Sequence, residues 1–420
     1  MEYLPRIADK QIQRKLRYSG AVLVEGPKWC GKTTTAAHVA ASALYMEDPD
    51  KTRAYKELAK NQPSLLLRGA APRLIDEWQV STNLWDAIRF TCDERNEPGQ
   101  FLLTGSTVPP QAGVEHTGTG RIARVKMSPM TLFESKESVG SVSLRDLLSG
   151  EAGSIEGENP LTVEKIAYLI CRGGWPAALS LDRADALYVA RNYIDGVLNS
   201  DIWRTEGGRR DPVRAQMLLR SLARHIATTA ETKTILADIA AHDTSFTYVT
   251  LMRYYRALER IFVVEDIAGW QPSLRSKIAI RSSKKRGLID PSLAAAALSV
   301  SPEGLLADFN LFGFLFESLC TRDIRVYAEA NDCDVLYYRD GSGLEADLIV
   351  RAPDQSWGAI KVKLGLGQED EAAKHLLKLA QKVDTEKVDS PKFLMILTGS
   401  QFAYRRKDGV YVVPIGCLKP

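Results

Sequence analysis

Ala21-Val22-Leu23-Val24-Glu25-Gly26-Pro27-Lys28-Trp29-Cys30-Gly31-Lys32-Thr33-Thr34 is the stretch that decides the fold. Its first five residues form a short apolar run, which reads as a buried parallel strand. Gly26 to Thr33 match G-x-x-x-x-G-K-[ST] in full. Thr34 to Ala43 then reads as a helix. A strand, a glycine-rich loop and a helix in that order set backbone N–H groups and a helix N-terminus around phosphate oxygens. The expected ligand is ATP, contacted by Gly26, Pro27, Lys28, Trp29, Cys30, Gly31, Lys32, Thr33 and Thr34. Lys32 would reach the β- and γ-phosphates, and the Thr33 hydroxyl would ligate Mg²⁺.

Two further strand ends supply candidates for the chemistry. Arg73-Leu74-Ile75-Asp76-Glu77 is a short apolar run ending in two acids. Asp76 is expected in the Mg²⁺ shell and Glu77 as the group that polarises water; the plainer alternative is a solvated acid pair. Gln100 to Ser106 is a third buried strand that ends in hydroxyls. Thr104 is the first choice for sensing the γ-phosphate and Ser106 the second, the alternative being a hydroxyl that satisfies loop backbone. In Thr117-Gly118-Thr119-Gly120-Arg121-Ile122-Ala123-Arg124-Val125, Arg121 is a candidate arginine finger, with Arg124 in reserve. It would act in cis or toward a neighbouring subunit of a homo-oligomer; a plain surface arginine is the other reading.

Length and composition bound the rest. A chain of 420 residues exceeds one ordinary core and suggests two to four domains. It is 45% hydrophobic and 25% charged, normal for a soluble globular protein. A net charge of +3 does not by itself argue for nucleic acid. No apolar run reaches the roughly 18 residues that span a bilayer, and MEYLPRIADKQ lacks the apolar core of a secretory signal. The six cysteines are scattered without a CxxC pair, which fits reduced thiols in a cytoplasm. A cytoplasmic protein without a membrane partner is expected.

The motifs GPKWCGKTT (26–34), LIDEWQ (74–79), FLLTGS (101–106), GTGRIARVKMSPMTLFE (118–134) and GGWP (173–176) resemble the bacterial and archaeal AAA+-type ATPases that carry a C-terminal DUF4143 region. Tyr3-Leu4-Pro5-Arg6 fits the start of that family, and the resemblance covers essentially the whole chain. It implies a P-loop α/β core, a small helical lid, a winged-helix segment and a nuclease-like C-terminal domain. The expected boundaries are 1–138 for the core, 139–205 for linker and lid, 206–298 for the winged helix and 299–420 for the last domain.

Val139 to Pro160 is rich in Ser, Gly and Glu and reads as a linker or insertion. Helices near 212–227, 233–241 and 247–260, then a strand at 261–264, fit a helix-turn-helix followed by a wing. Arg253, Arg256 and Arg260, with Arg275, Lys277, Arg281, Lys284, Lys285 and Arg286, lie where such a module would meet the phosphates of DNA or another nucleic acid. The alternative is a solvated face or a protein-packing module.

The last domain reads as helix, strands, helix, strand, and resembles the PD-(D/E)xK restriction-endonuclease core. Glu317 matches the helix acid, Asp347 the strand acid and Lys363 the lysine. The second acid is replaced by Lys361, a cation that supplies no ligand and repels a metal. Glu345 shares a strand face with Asp347 and is a possible substitute. The expectation is a degenerate site on a nuclease-shaped platform.

Overall fold

The computed structural model describes residues 3–106, 119–202, 211–272, 283–365, 367–383 and 389–420. Thr117, Gly118, Arg275, Lys277 and Arg281 lie outside the described residues. The chain divides into two compact units, Met1–Pro129 with Ala257–Val263, and Met130–Arg256 with Val264–Pro420.

The first unit begins with α1 (Ile7–Leu16), β1 (Ala21–Glu25), α2 (Lys32–Val39), β2 (Ser42–Tyr45) and α3 (Thr52–Asn61). It continues with β3 (Arg73–Asp76), α4 (Asn83–Arg95), β4 (Phe101–Gly105) and β5 (Ile122–Lys126). The strands form one parallel sheet in the order β2-β3-β4-β1-β5, so the expected α/β class holds. Leu23, Ile75 and Leu103 pack on one face, with Trp78 and Trp85. Val22, Val24, Leu74 and Leu102 pack on the other, with Ala36. Burial on both faces is why these strands read as unbroken apolar runs.

The helix after the P-loop stops at Val39, short of the expected Ala43. Ala40 turns to extended backbone, and Ser42–Tyr45 pairs with Arg73–Asp76 as the edge strand. The alanines favour a helix locally, but pairing with β3 overrides that weak preference. Because β4 lies between β1 and β3, with Val24 opposite Thr104 and Ile75 opposite Leu103, the carboxyl ends of all three strands meet.

The second unit contains β6 (Val142–Ser143), α5 (Leu144–Ser149), β7 (Gly157–Glu158), α6 (Val163–Arg172) and α7 (Tyr188–Gly196). Residues 139–160 are therefore structured, which corrects the linker reading drawn from their composition. Helices α8 (Pro212–Arg224), α9 (Thr232–Ala240) and α10 (Tyr248–Arg260) follow. The strand expected at 261–264 is reduced to antiparallel bridges, Val264 with Leu288 and Ile267 with Lys285. The Arg286 N–H donates to Thr228 O at 2.7 Å, adding a third backbone segment to that pair.

The rest comprises α11 (Pro291–Ala297), α12 (Pro302–Ala307), α13 (Phe309–Ala330), β8 (Asp334–Arg339), β9 (Glu345–Arg351), β10 (Trp357–Lys363), α14 (Glu369–Lys382), β11 (Phe393–Thr398), β12 (Phe402–Arg405), β13 (Tyr411–Pro414) and β14 (Leu418–Lys419). Its mixed sheet runs β7-β12-β13-β11-β10-β9-β8. β7 supplies one edge, and β6 pairs with β14. The core of this sheet gathers Trp270, Trp357, Ile349, Leu376 and Ile396.

Candidate functional site

The first site forms where β1, β3 and β4 end. Gly26 has φ +153°, and a Cβ there would stand 2.1 Å from Met127 O. Only glycine permits that approach, so the loop sits directly against the chain beyond β5. Gly31, at φ +100°, precedes the first turn of α2. Lys32 is buried, and its Nζ donates to Pro27 O at 2.7 Å. Trp29 has φ +62° and is 52% exposed. Cys30 is buried, Lys28 half-buried, and Thr34 faces solvent.

A chain of hydrogen bonds joins the three strand ends. Thr33 Oγ1 donates to Asp76 Oδ1 at 2.7 Å, and Thr104 Oγ1 donates to the same oxygen at 2.5 Å. The Glu77 N–H donates to Thr104 Oγ1 at 3.2 Å. Thr33, Asp76, Thr104 and Glu77 are thus brought together from three separate segments. Glu77 takes a left-handed backbone, φ +52°, which turns the chain sharply after β3. Burial pushes its carboxyl above the ordinary carboxylate range, against the pull of Lys32. Gln79 Nε2 donates to Glu77 Oε2, while Gln79 Oε1 and Trp78 Nε1 are buried without a protein partner. Ser106, the second choice for the sensor, is buried just beyond β4.

The donor set suits Mg²⁺. Thr33 and Asp76 offer hard oxygens on neighbouring atoms, and Mg²⁺ at nucleotide sites takes few protein ligands beside phosphate oxygens and water.

Arg121 is not at this site, which corrects its reading as a finger in cis. Parallel pairing sets Ala21 opposite Ile122 and Glu25 opposite Lys126. Arg121 therefore lies at the amino end of β5, about 16 Å of strand from the P-loop. It is half-exposed and pairs with Asp93 at 2.6 Å. Arg124, the reserve, pairs with Glu25 at 3.2 Å.

Sequence reading missed one contact of the P-loop. Arg6 is buried, and its guanidinium donates to Cys30 O and to Ser128 O, both at 2.7 Å. Its place in the opening Tyr3-Leu4-Pro5-Arg6 was the only signal.

A second constellation lies in the second unit. Lys361 Nζ donates to Glu345 Oε1 at 2.8 Å and to Asp347 Oδ1 at 2.9 Å. Lys285 Nζ donates to Glu317 Oε1 and stands 3.8 Å from Asp347 Oδ1. The Val362 N–H donates to Asp347 Oδ2 at 2.7 Å. Two ammonium groups thus hold the carboxylates that a metal would need. Among the described residues no group of three or more His, Cys, Asp or Glu is placed to hold a metal ion. Burial alone would raise the Asp347 pKa, but Lys285 and Lys361 hold it below the usual carboxylate value. Burial pushes Glu317 up to about 7 against the attraction of Lys285. Lys363 is half-exposed at the end of β10.

Glu317 faces inward to Lys285. These positions correct one expectation. Lys285 and Arg286 are not phosphate contacts, since Lys285 is buried in this cluster and Arg286 pairs with Asp266 at 3.0 Å. Arg253 and Arg256 remain exposed on α10.

GGWP (173–176) also has a definite place. A Cβ at Gly174 would lie 2.1 Å from Met130 O. The Gly174 N–H donates to Asp290 at 3.0 Å, and Asp290 accepts from Arg322 at 2.9 Å. The Trp175 indole N–H donates to Ser292 Oγ at 2.9 Å. The motif is a buried junction between α6, α11 and α13.

Comparison with known proteins accords with this geometry. A family model described as an AAA domain (AAA_14) matches residues 18–136, and DUF4143, a domain of unknown function, matches residues 312–418. The chain carries an AAA_14 domain followed by a DUF4143 domain. A further domain of unknown function, DUF8612, matches residues 163–304 of this AAA_14/DUF4143 protein. It is 26% identical over 365 residues to uncharacterized proteins of Mycobacterium tuberculosis (strain ATCC 25618 / H37Rv) and Mycobacterium bovis (strain ATCC BAA-935 / AF2122/97). That match covers 84% of this chain and 72% of each relative. A Walker-type ATPase of Pyrococcus abyssi is similar at 14% identity and TM-score 0.44, over 70% of this chain and 96% of that one. AMPPCP-bound DnaA from Aquifex aeolicus is similar at 14% identity and TM-score 0.30, over 62% and 86%. No helix among the described residues is long and apolar enough to cross a membrane.

Proposed function

We propose that this protein is a Mg²⁺-dependent ATPase whose nucleotide state controls the second unit. The observation that carries the proposal is the hydrogen-bonded chain Thr33–Asp76–Thr104–Glu77 beside the P-loop. Backbone N–H groups between Gly26 and Gly31, with the N-terminus of α2, bind the phosphates. Lys32 leaves Pro27 O for the β- and γ-phosphates. Thr33 and Asp76 would hold Mg²⁺, which would supply charge neutralisation for the transferred phosphoryl group. Glu77 orients the attacking water and accepts its proton as the water oxygen bonds to the γ-phosphorus and the bond to the β-phosphate oxygen breaks. Burial favours that proton on Glu77. Gln79 fixes the Glu77 carboxylate, and Thr104 ties the acid pair to β4. Arg121 faces away from its own P-loop, so a finger role requires a neighbouring protomer of a homo-oligomer.

For the second unit we propose a winged-helix module and a nuclease-like platform that meets nucleic acid, in a cytoplasmic protein. Three helices followed by paired segments at 264–267 and 285–288 support the first part. Exposed Arg253 and Arg256 are its available cations. The lysine-filled carboxylate cluster argues against an ATP-dependent nuclease. The withdrawal of Lys285 and Arg286 into ion pairs favours a second reading, a switch that contacts protein partners instead of nucleic acid.

One assay tests both. ATP turnover of the purified chain is measured alone and with single- or double-stranded DNA or RNA. Lys32→Ala should abolish turnover, and Glu77→Gln should bind ATP but slow hydrolysis by two or more orders of magnitude. Unchanged turnover in both variants sinks the catalytic assignment. Stimulation by nucleic acid, with a steep salt dependence of binding, supports the first reading of the second unit. Its absence supports the second.

A further inference from the structure

The N-terminal residues before α1 hold the P-loop in a way the glycine-rich motif does not encode. Arg6 is buried, at 6% exposure. One of its terminal nitrogens donates to Cys30 O at 2.7 Å and the other to Ser128 O at 2.7 Å. Arg6 is itself fixed. Its backbone N–H donates to Asp9 Oδ2 at 2.9 Å, and Asp9 Oδ1 accepts from the Tyr3 hydroxyl at 2.6 Å. Tyr3 also reaches Thr35 Oγ1 on α2 at 3.3 Å and stacks on His38 with ring centroids 4.2 Å apart.

The peptide joining Cys30 to Gly31 is a rigid plane in which the C=O and the N–H point in opposite directions. A guanidinium that holds Cys30 O therefore also sets the direction of the Gly31 N–H, away from Arg6. We infer that Arg6 is a positioning residue for phosphate binding. Its planar fork bridges Cys30 O and Ser128 O, and so pre-aims the Gly31 N–H at the phosphate before nucleotide arrives. Pre-aimed donors bind without the cost of ordering them on contact. Lysine, with a single point charge, does not reproduce a two-carbonyl bridge. The inference rests on the reading of Gly26 to Thr33 as a nucleotide site.

The test uses calorimetric titration of the full chain with Mg·ATP and, separately, with inorganic tripolyphosphate. Arg6→Lys and Arg6→Ala are expected to weaken both ligands by the same factor, roughly tenfold to a hundredfold, as for loss of a charged hydrogen bond. Free guanidinium at millimolar concentration should restore part of the loss in Arg6→Ala but not in Arg6→Lys. A purely structural role would lower the melting temperature of the nucleotide-free protein yet leave tripolyphosphate affinity of the folded protein unchanged, and that result overturns the inference. So does a loss confined to Mg·ATP. If Arg6→Ala does not fold, Arg6→Lys decides alone. A wild-type chain that binds neither probe overturns the P-loop reading, whereas wild-type binding with unaltered variants overturns only the role of Arg6.

Discussion

Replacing Lys285 with methionine should destabilise the second unit strongly at pH 8, and removing Glu317 as well should restore much of the loss. Lys285 has 8% of its side chain exposed and Glu317 14%, so neither charge has water to fall back on. Deleting one partner of a buried ion pair costs about 3–5 kcal/mol, because the other charge is stranded. In Lys285→Met, Lys361 alone would face Glu317, Glu345 and Asp347. Glu317, already pushed up to about 7, can shed its charge by taking a proton, which is easy at pH 5.5 and harder at pH 8. The loss should therefore reach about 3–4 kcal/mol at pH 8 and fall to about half that at pH 5.5. At about 2–4 °C per kcal/mol for a unit of this size, the melting temperature should drop by about 6–15 °C at pH 8. In Lys285→Met/Glu317→Gln the stranded charge is gone, and a coupling of about 2 kcal/mol or more should appear in the double-mutant cycle. The assay is scanning calorimetry of the four proteins at both pH values. A drop under about 1 °C in the single variant, or a double variant no more stable than the single, would refute the buried-pair reasoning.

Wild-type stability should fall as pH rises through about 7, because a carboxyl raised in the folded state, as Glu317 is, stabilises most below its unfolded value and loses that contribution above its folded one; urea unfolding across pH 5–8 reads it. Lys361→Glu alone should give no metal-dependent cleavage, since Lys285 still sits on Glu317. Divalent-metal binding by calorimetry should need Lys285→Met as well, and cleavage by the single variant would reverse this account of the cluster. Thr104→Val should leave ATP affinity within about threefold but lower turnover about tenfold to a hundredfold, because the Glu77 N–H and Asp76 lose a shared partner. Single-turnover kinetics separates the two effects, and an unchanged rate would free Thr104 of any part in the chemistry.

The nucleotide site was largely legible because its logic is local. A strand, a loop and a helix are contiguous in sequence, and acids at strand ends announce themselves by position. What was not legible depended on register and on distance along the chain. Parallel pairing of β1 with β5 sends Arg121 to the far end of the sheet, and nothing in its glycine-rich neighbourhood reports that. Arg6 precedes Cys30 by 24 residues, with no spacing rule to join them. Lys361 stood out against a known pattern, whereas Lys285 looked like one cation in a basic run. Its burial depends on a backbone bridge to Ile267 that aims it inward. Ser-, Gly- and Glu-rich composition at 139–160 suggested a tether because two-residue strands leave no periodicity to detect.

Those short strands have a practical consequence for dissecting the protein. A fragment cut to the DUF4143 match at 312–418 would lose β7, and the backbone groups of Phe402 and Ala403 that pair with Glu158 and Gly157 would be left bare. Phe402 is 54% exposed and Tyr404 42% exposed even in the full chain. An unprotected strand flanked by aromatic side chains is a template for self-association. Such a fragment would be prone to aggregate for reasons unrelated to its activity. One that carries residues 139–160 along, on the same polypeptide or added as a separate peptide, would keep that edge capped.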